Sequence, residues 1–330
     1  MFRRNVLTLM LTAVLGALAF ATGASTALSQ DNKFPSHTIH VIVPFAPGGG
    51  VDALARMVAE KIRAKAGVTV IVENRAGANG TVGGSYVKQA QPDGYTVLFS
   101  SNTQTMSKLV MANAPYDPLT DFTPIARLGE APLLVVMSPQ LPQKTLAEVA
   151  AAIKQNPDRW TAGTPAMGSP SHIATIQFMR LSGTKLTVTP YRGTAPALTD
   201  VSGGHIQLLT DAMIVLLPMA KGGQVKGLAV TTAKRSALAP EIPTAAESGL
   251  PGLEVVAWYG VWGPKGMPTE VVKNLNAAFA DAMRELAQSG QLASIGVEPV
   301  HESPEQFARY VAAEVARNAE LLKSVNFQPQ

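Results

Sequence analysis

Three consecutive glycines, Gly48–Gly50, follow a β-branched segment that predicts a strand, Thr38–Val43, and precede an amphipathic segment that predicts a helix. Glycines at such a junction leave backbone N–H groups uncovered at the positive end of the helix dipole, which favours an anion. The loop lacks the Lys-Ser/Thr pair of a nucleotide-binding P-loop, so a carboxylate fits better than a triphosphate. Glycines that only permit a tight turn would give the same local pattern.

An acidic residue, Asp52, falls in the first turn of this predicted helix. The helix dipole favours a carboxylate there whatever its function. In a binding site Asp52 could hold water or orient the glycine amides, but it would repel an anion that touched it directly.

The loop Thr161–His172 is a second candidate, because it places hydroxyls, glycines and a histidine before another predicted helix. Ser169 suits the N-cap, with Pro170 at the first helical position. His172 would lie in the first turn, where the dipole disfavours an imidazolium, so a neutral histidine is expected. A capping serine and a surface histidine would produce the same pattern without a site.

Polar residues also follow two predicted strands. Ser101 and Asn102 come after Tyr95–Phe99, and Asp211 comes after Ile206–Thr210. Ligands of open parallel sheets bind outside the carboxyl ends of the strands, so these side chains are suitable contacts. They are also ordinary loop residues.

Several classes of function are poorly supported. The sequence has no cysteine, no GxSxG or HExxH motif, and five scattered histidines, which argues against thiolate metal sites and nucleophilic catalysis. A net charge of +4 without a basic run gives little support for nucleic-acid binding. The sequence therefore predicts neither an enzyme nor a bound cofactor or metal.

The first residues, 1–29, predict a secretory signal peptide. Arg3 and Arg4 precede an apolar run, Val6–Ala21, and small residues at Ala27–Ser29 suit signal peptidase. The apolar run is short for a membrane anchor, which needs about 20 residues. The mature chain is expected to be soluble, exported and without a lipid-modified cysteine.

Alternating strand-like and helix-like segments must position these loops. Continuous apolar strands separated by helices predict a parallel sheet covered on both faces. The proline-rich stretch Pro115–Pro124 predicts a connection, and two amphipathic helices are expected after Pro268 and Ser303. A mature chain of about 300 residues usually forms two domains.

Taken together, many short motifs resemble the substrate-binding receptors of tripartite tricarboxylate transporters, the Bug family. The resemblance extends from about Phe34 to the C-terminal helices. Its motifs are IVPFAPGGGVDALAR, VENRAGANG, PDGYTVLFSS, YDPLTDFTPIA, GSPSHIA, PYRGTAPALTD, LAVTTAKRSALAPEIPTAAESGLPGLE and AWYGVWGPKGMP.

This resemblance implies a periplasmic-binding-protein-like α/β fold, with two α/β domains, a hinge and an interdomain ligand cleft. The chain would cross between domains near Arg127–Pro132 and near Val255–Trp258. One domain would comprise residues 30–131 plus 256–330, and the other residues 132–255.

The resemblance also implies that the glycine-rich loop grips a ligand carboxylate and that a facing loop contacts the variable end of the ligand. The first loop maps to Phe45, Ala46, Gly48, Gly49 and Asp52. The facing loop maps to Thr161, Ala162, Gly163, Ser169 and His172, with Ser101, Asn102 and Asp211 at strand ends.

The function implied is that of a periplasmic receptor, which captures a small organic acid and delivers it to the membrane permease of its transporter. Two alternatives remain at this point. The same fold could serve a ligand sensor that signals to a membrane partner, and Ser169 with His172 could serve a secreted hydrolase.

Overall fold

A computed structural model describes residues 34–330 of the chain, so the predicted signal peptide lies outside the described residues. Ten strands are found in this part of the chain. They are β1 (Ile39–Val43), β2 (Val70–Asn74), β3 (Thr96–Ser101), β4 (Phe122–Met137), β5 (Thr161–Thr164), β6 (Thr187–Pro190), β7 (Leu208–Ala212), β8 (Lys226–Val230), β9 (Val256–Pro264) and β10 (Glu298–Pro299).

Ten α-helices accompany these strands in the described part of the chain. They are α1 (Gly50–Ala66), α2 (Thr81–Lys88), α3 (Ser107–Val110), α4 (Leu146–Gln155), α5 (Pro170–Ser182), α6 (Thr194–Gly203), α7 (Met213–Lys221), α8 (Thr269–Gln288), α9 (Gln291–Ser294) and α10 (Pro304–Ser324). Short 3₁₀ turns occupy Ala78–Gly80, Asn102–Met106 and Pro157–Arg159.

The sheet divides into two lobes by its pairing. In the first lobe, β2, β1 and β3 are parallel, β9 is antiparallel to β3, and Phe122–Pro132 of β4 is antiparallel to β9. In the second lobe, β5 is parallel to β6 and β7, while Leu133–Met137 of β4 is antiparallel to β7 and β8. The long strand β4 therefore belongs to both lobes.

The prediction of a parallel sheet is wrong in this respect, because β4 and β9 make the sheet mixed. The proline-rich connection predicted to end at Pro124 is also shorter, since β4 begins at Phe122. Prolines cannot donate a ladder hydrogen bond, and the register shifts next to Pro124. Glycines interrupt the apolar pattern of β9, which concealed that strand in the sequence.

The chain crosses between the lobes at two places. At the first, β4 changes partners between Pro132, which pairs with Val256, and Leu133, which pairs with Ala212. At the second, the Val255 N–H still donates to the Thr231 carbonyl of the second lobe, and Val256 begins β9.

Helices cover both faces of the second lobe, as predicted. Val135 and Met137 pack against α4, whereas Leu134 and Val136 pack against α6 and α7. Successive side chains of a strand point to opposite faces, so one apolar run serves two cores.

The C-terminal segment contacts both lobes. Leu322 of α10 and the following Phe327 pack in one apolar cluster with Met106 of the first lobe and Ile173 of the second. The terminal Gln330 exchanges backbone hydrogen bonds with the α3 region, through Val110 and Ala112.

A buried acid on α10 is hydrogen-bonded to residues of the first lobe. Glu314 is 7% exposed, and its Oε1 accepts hydrogen bonds from Trp258 Nε1 at 2.7 Å and Asn102 Nδ2 at 3.3 Å. Its Oε2 has no hydrogen-bond partner among the described residues. Burial raises the pKa of Glu314 to about 7, against the effect of both hydrogen bonds.

Glu314→Gln is expected to flatten the pH dependence of stability. The folded-state pKa exceeds the ordinary value of 4.5, so the wild type loses stability as pH rises through about 7. The variant keeps the acceptor for Trp258 and should gain roughly 1–3 kcal/mol relative to wild type between pH 5 and pH 8. Urea unfolding at both pH values measures this gain. Glu320→Gln, an exposed change on the same helix, should show no such gain.

Candidate functional site

The glycine-rich loop joins β1 to α1 and leaves the start of that helix without a side-chain cap. Gly48 has φ of +86°, which favours glycine, and Gly49 is an N-cap residue that cannot offer a side-chain acceptor. The first N–H groups of an α-helix have no partner inside the helix. The amides at the start of α1 are therefore available to an anion.

Asp52 holds this loop from behind. Its Oδ2 accepts the Gly48 N–H at 3.0 Å, and its Oδ1 accepts Asn74 Nδ2 at 2.8 Å, while Arg56 forms an ion pair with it at 2.9 Å. Asn74 Nδ2 also donates to the Phe45 carbonyl. Burial alone would raise the pKa of Asp52, but these hydrogen bonds outweigh it and lower the pKa. Asp52 thus orients the loop as an ionised carboxylate.

A cleft of about 430 Å³ opens between the two lobes, in front of this loop. The residues that line it are Phe45, Gly49, Gly50, Val51, Ser101, Thr103, Pro165, Ser169, Pro170, Gly193, Thr194, Asp211, Ala212, Ala257 and Tyr259.

Four helices begin at this cleft, namely α1, α5, α6 and α7. Ser169 caps α5 by accepting the His172 N–H at 3.2 Å, whereas the N-cap residues Gly49, Gly193 and Ala212 provide no side-chain cap. Each helix start carries a partial positive charge of about half an elementary charge. Their convergence makes the cleft attractive to a negatively charged group.

One carboxyl group of the chain already lies in the cleft. Asp211 Oδ2 accepts the Thr194 hydroxyl at 2.5 Å, and its Oδ1 accepts the Ala212 N–H at 2.7 Å. Burial raises the pKa of Asp211 to about 6, although both hydrogen bonds favour the ionised form. Asp211 therefore offsets the starts of α6 and α7. Asp52, the carboxylate in the first turn of α1, is paired with Arg56, and the start of α1 has no side-chain cap.

Tyr259 supplies an uncommitted hydroxyl. Its side chain is 1% exposed, lines the cleft from β9, and its OH has no hydrogen-bond partner among the described residues. Burial, and then the charge of Asp211, raise the pKa of Tyr259, so the phenol is a neutral donor. A Cβ at Gly50 would lie 3.1 Å from this OH, which brings the hydroxyl to the start of α1.

Five of the residues proposed from the sequence line the cleft: Phe45, Gly49, Ser101, Ser169 and Asp211. Three others support the loop or the lobe contact instead. Asp52 binds the Gly48 N–H, Gly48 itself borders a separate depression, and the Ala46 N–H donates to the Arg192 carbonyl at 3.1 Å.

The remaining proposed residues lie outside the cleft lining. Asn102 donates to Glu314, Thr161–Gly163 form β5, and Ala162 is buried in the core beside α4. The buried His172 ring accepts the Gly168 N–H at its Nδ1 and packs edge-on against Phe327. Burial lowers the pKa of His172 to about 4, so it is neutral as expected.

Sequence reasoning did not single out Tyr259, Gly193 or Thr194. Tyr259 lies within the motif AWYGVWGPKGMP, and Gly193 and Thr194 lie within PYRGTAPALTD, both quoted above for the family resemblance. The glycine-threonine pair before an apolar-periodic segment was an available signal for the start of α6. Tyr259 had no local signal, because its role depends on β9 entering the sheet beside β3.

Neither a metal site nor a membrane span is evident within residues 34–330. These residues contain no group of three or more His, Asp or Glu side chains arranged to hold a metal ion. None of the helices described is both long enough and apolar enough to cross a bilayer.

Thr194→Val is expected to destabilise the protein more at pH 8 than at pH 5. The change removes the hydroxyl that donates to Asp211, which raises the Asp211 pKa further above its ordinary value and makes its buried charge costlier. We expect a loss of about 1–2 kcal/mol in unfolding free energy at pH 8. Urea unfolding measures the loss, and Thr199→Val, on the exposed side of α6, is the control. An equal loss at both pH values would contradict the role given to Thr194.

Comparisons with known proteins agree with this geometry. The structure matches the periplasmic binding protein BugD, with 33% identity and a TM-score of 0.85 over 90% of this chain and 100% of that one. It matches an R. palustris protein with adipate (34%, 0.86, over 90% and 100%) and the R. palustris protein MatC with bound malate (32%, 0.82, over 88% and 100%). These likenesses confirm the periplasmic-binding-protein-like α/β fold.

Residues 54–327 match the family described as the tripartite tricarboxylate transporter family receptor, TctC. This match spans most of the chain, from within α1 to Phe327, and includes strands of both lobes. The chain is a member of the family of solute-binding receptors of tripartite tricarboxylate transporters.

Proposed function

We propose that this receptor binds a small organic acid in the cleft between its lobes, in the periplasm, and delivers it to the membrane permease of its transporter. The convergence of helix starts on the cleft is the observation that carries the proposal. It favours a negatively charged ligand without requiring a metal or a charged side chain to bind it.

The start of α1 is the best position for the ligand carboxylate. It has uncapped amides, it faces the free Tyr259 hydroxyl, and its loop is fixed by Asp52. Hydrogen bonds to an ionised acceptor are about twice as strong as neutral ones. The malate and adipate found in the two R. palustris relatives are both carboxylates, which supports the same ligand class here.

Closure of the lobes would complete the site. We place one domain at residues 30–131 plus 256–330 and the other at residues 132–255, with the hinge where the chain crosses between lobes. Two hydrogen bonds already join the lobes across the cleft: Ala46 N–H to the Arg192 carbonyl, and Met167 N–H to Asn79 Oδ1 at 3.0 Å. They provide contacts that an open form would lose.

The hydrolase alternative has little geometric support. Ser169 Oγ lies 2.8 Å from Thr164 Oγ1 and caps the His172 amide, while the His172 ring accepts from Gly168. A nucleophilic serine would instead donate to the imidazole. These contacts suit a helix cap and a buried neutral histidine. The sensor alternative shares the binding step, and identification of the membrane partner distinguishes it from transport.

Carboxylates are expected to stabilise the purified protein against heat. A ligand that binds only the folded state, present at a concentration of about 100 times its dissociation constant, adds about 2.7 kcal/mol to the free energy of unfolding. A thermal-shift screen of mono- and dicarboxylates, with neutral sugars as controls, measures the effect, and calorimetric titration gives affinities for the hits. Tight binding of sugars with no response to any acid would overturn the proposal.

Tyr259→Phe is expected to weaken binding of the best acid by about 10- to 100-fold, because it removes one charge-assisted hydrogen bond. The hydroxyl has no partner in the protein, so the thermal midpoint without ligand should change little. Tyr86→Phe makes the same chemical change at an exposed tyrosine and should leave affinity unaltered. Equal affinities for Tyr259→Phe and wild type would exclude the Tyr259 contact.

A further inference from the structure

A second cavity adjoins the cleft and has no role in the function proposed so far. It has a volume of about 500 Å³ and shares two of its lining residues, Phe45 and Pro165, with the cleft. The other lining residues are Pro44, Gly77, Ala78, Asn79, Gly80, Pro190, Tyr191 and Arg192. We call this cavity the vestibule, because it adjoins the inner cleft at Phe45 and Pro165.

Arg192 is the charged residue among those that line the vestibule. Its backbone is fixed beside the anion-binding loop, because its carbonyl accepts the Ala46 N–H and the next residue, Gly193, lies against Ala46. Its guanidinium, in contrast, forms no ion pair or hydrogen bond with any residue in the described part of the chain. A fixed backbone and an unoccupied cationic side chain suit the recognition of an anion.

Part of the vestibule lining is apolar. Pro44, Phe45, Pro165 and Pro190 contribute rigid hydrocarbon surface, and the Tyr191 ring is held by its hydroxyl bond to Asp200 at 2.7 Å. Such surface suits methylene groups, which gain about 0.8 kcal/mol each when fully buried. It offers little to a strongly hydrated, compact ligand.

One wall of the vestibule is the loop of residues 77–80, which has an unusual backbone conformation. Both Ala78 (φ +44°) and Asn79 (φ +55°) adopt positive φ between Gly77 and Gly80. Left-handed backbone costs a residue with a Cβ roughly 1–2 kcal/mol. The Asn79 Oδ1 bond to Met167 N–H ties this loop to the opposite lobe, so the vestibule has a defined wall when the lobes meet.

Asp211 determines which way a second carboxylate of the ligand must point. The inner cleft already contains this carboxyl group, bonded to Thr194 and Ala212. A second negative group placed beside it would meet like-charge repulsion in a poorly solvated site. Asp211 is not among the residues that line the vestibule, whereas Arg192 is.

We infer that the vestibule binds the distal carboxylate of an elongated α,ω-dicarboxylate at Arg192, while the proximal carboxylate occupies the start of α1. This inference rests on the proposed function and narrows its ligand class. Arg192 acts as a specificity-determining residue, since its positive charge favours ligands that carry a second carboxylate at the far end of their hydrocarbon chain.

Calorimetric titration at low ionic strength tests the inference with acids of matched length: hexanoate against adipate, and octanoate against suberate. The variants are Arg192→Gln, Arg192→Lys and the control Arg180→Gln, which removes an exposed arginine about 15 Å along α5 from its start. Circular dichroism and thermal midpoints establish that each variant is folded.

The wild type should bind a diacid at least about 10-fold more tightly than its monoacid partner. Arg192→Gln should remove that advantage and change monoacid affinity by less than about twofold, whereas Arg192→Lys should keep part of it. Added salt should weaken the diacid advantage, because Arg192 is exposed. Arg180→Gln should behave as wild type.

Two failures are distinguishable. If no acid binds the wild type, the proposed function fails. If acids bind but diacids have no advantage, or if Arg192→Gln weakens monoacids and diacids equally, the vestibule assignment fails while the receptor function stands. Tightest binding of a neutral-ended or aromatic monoacid would likewise overturn it.

Discussion

The orientation of helix starts toward a single crevice is the constraint on which this structure depends. In each lobe, parallel strands lead through short loops into helices, so backbone N–H groups gather at the carboxyl ends of the strands. The positive ends of α1, α5, α6 and α7 all border the cleft. Partial charges of one sign repel in a low-dielectric cleft, so negative groups placed in the cleft stabilise this arrangement of helices.

Side chains of the protein itself satisfy some of these helix starts. Asp211 serves the starts of α6 and α7, and the Ser169 hydroxyl serves α5. Asp52 lies behind α1 and fixes its loop without covering the leading amides. The start of α1 has no side-chain cap, and the Tyr259 hydroxyl has no hydrogen-bond partner among the described residues, so both groups can still bind an anion.

Local signals gave the glycine-rich junction before α1, the Ser169 cap and the Ser303 capping box, because each depends on contacts within a few residues. The two-lobed α/β fold followed from the family resemblance. The local pattern predicted a strand at Trp160–Gly163, in agreement with β5. Local signals could not give Tyr259, or show that Thr161–Gly163 lie away from the cleft lining, because both depend on long-range strand pairing. The mixed sheet escaped prediction for the same reason, since β9 returns to the first lobe about 130 residues after β4 begins.

The C-terminal segment has a mechanical consequence. Leu322 and Phe327 lie in one cluster with Met106 and Ile173, and Gly168 is so close to Met106 that a Cβ there would come within 2.6 Å of it. The lobes are thus fastened together along this side by dense packing. Separation of the lobes costs least free energy if this packing stays intact and the lobes rotate about this side. Opening of the cleft would also break the loop contacts of Ala46 with Arg192 and of Asn79 with Met167.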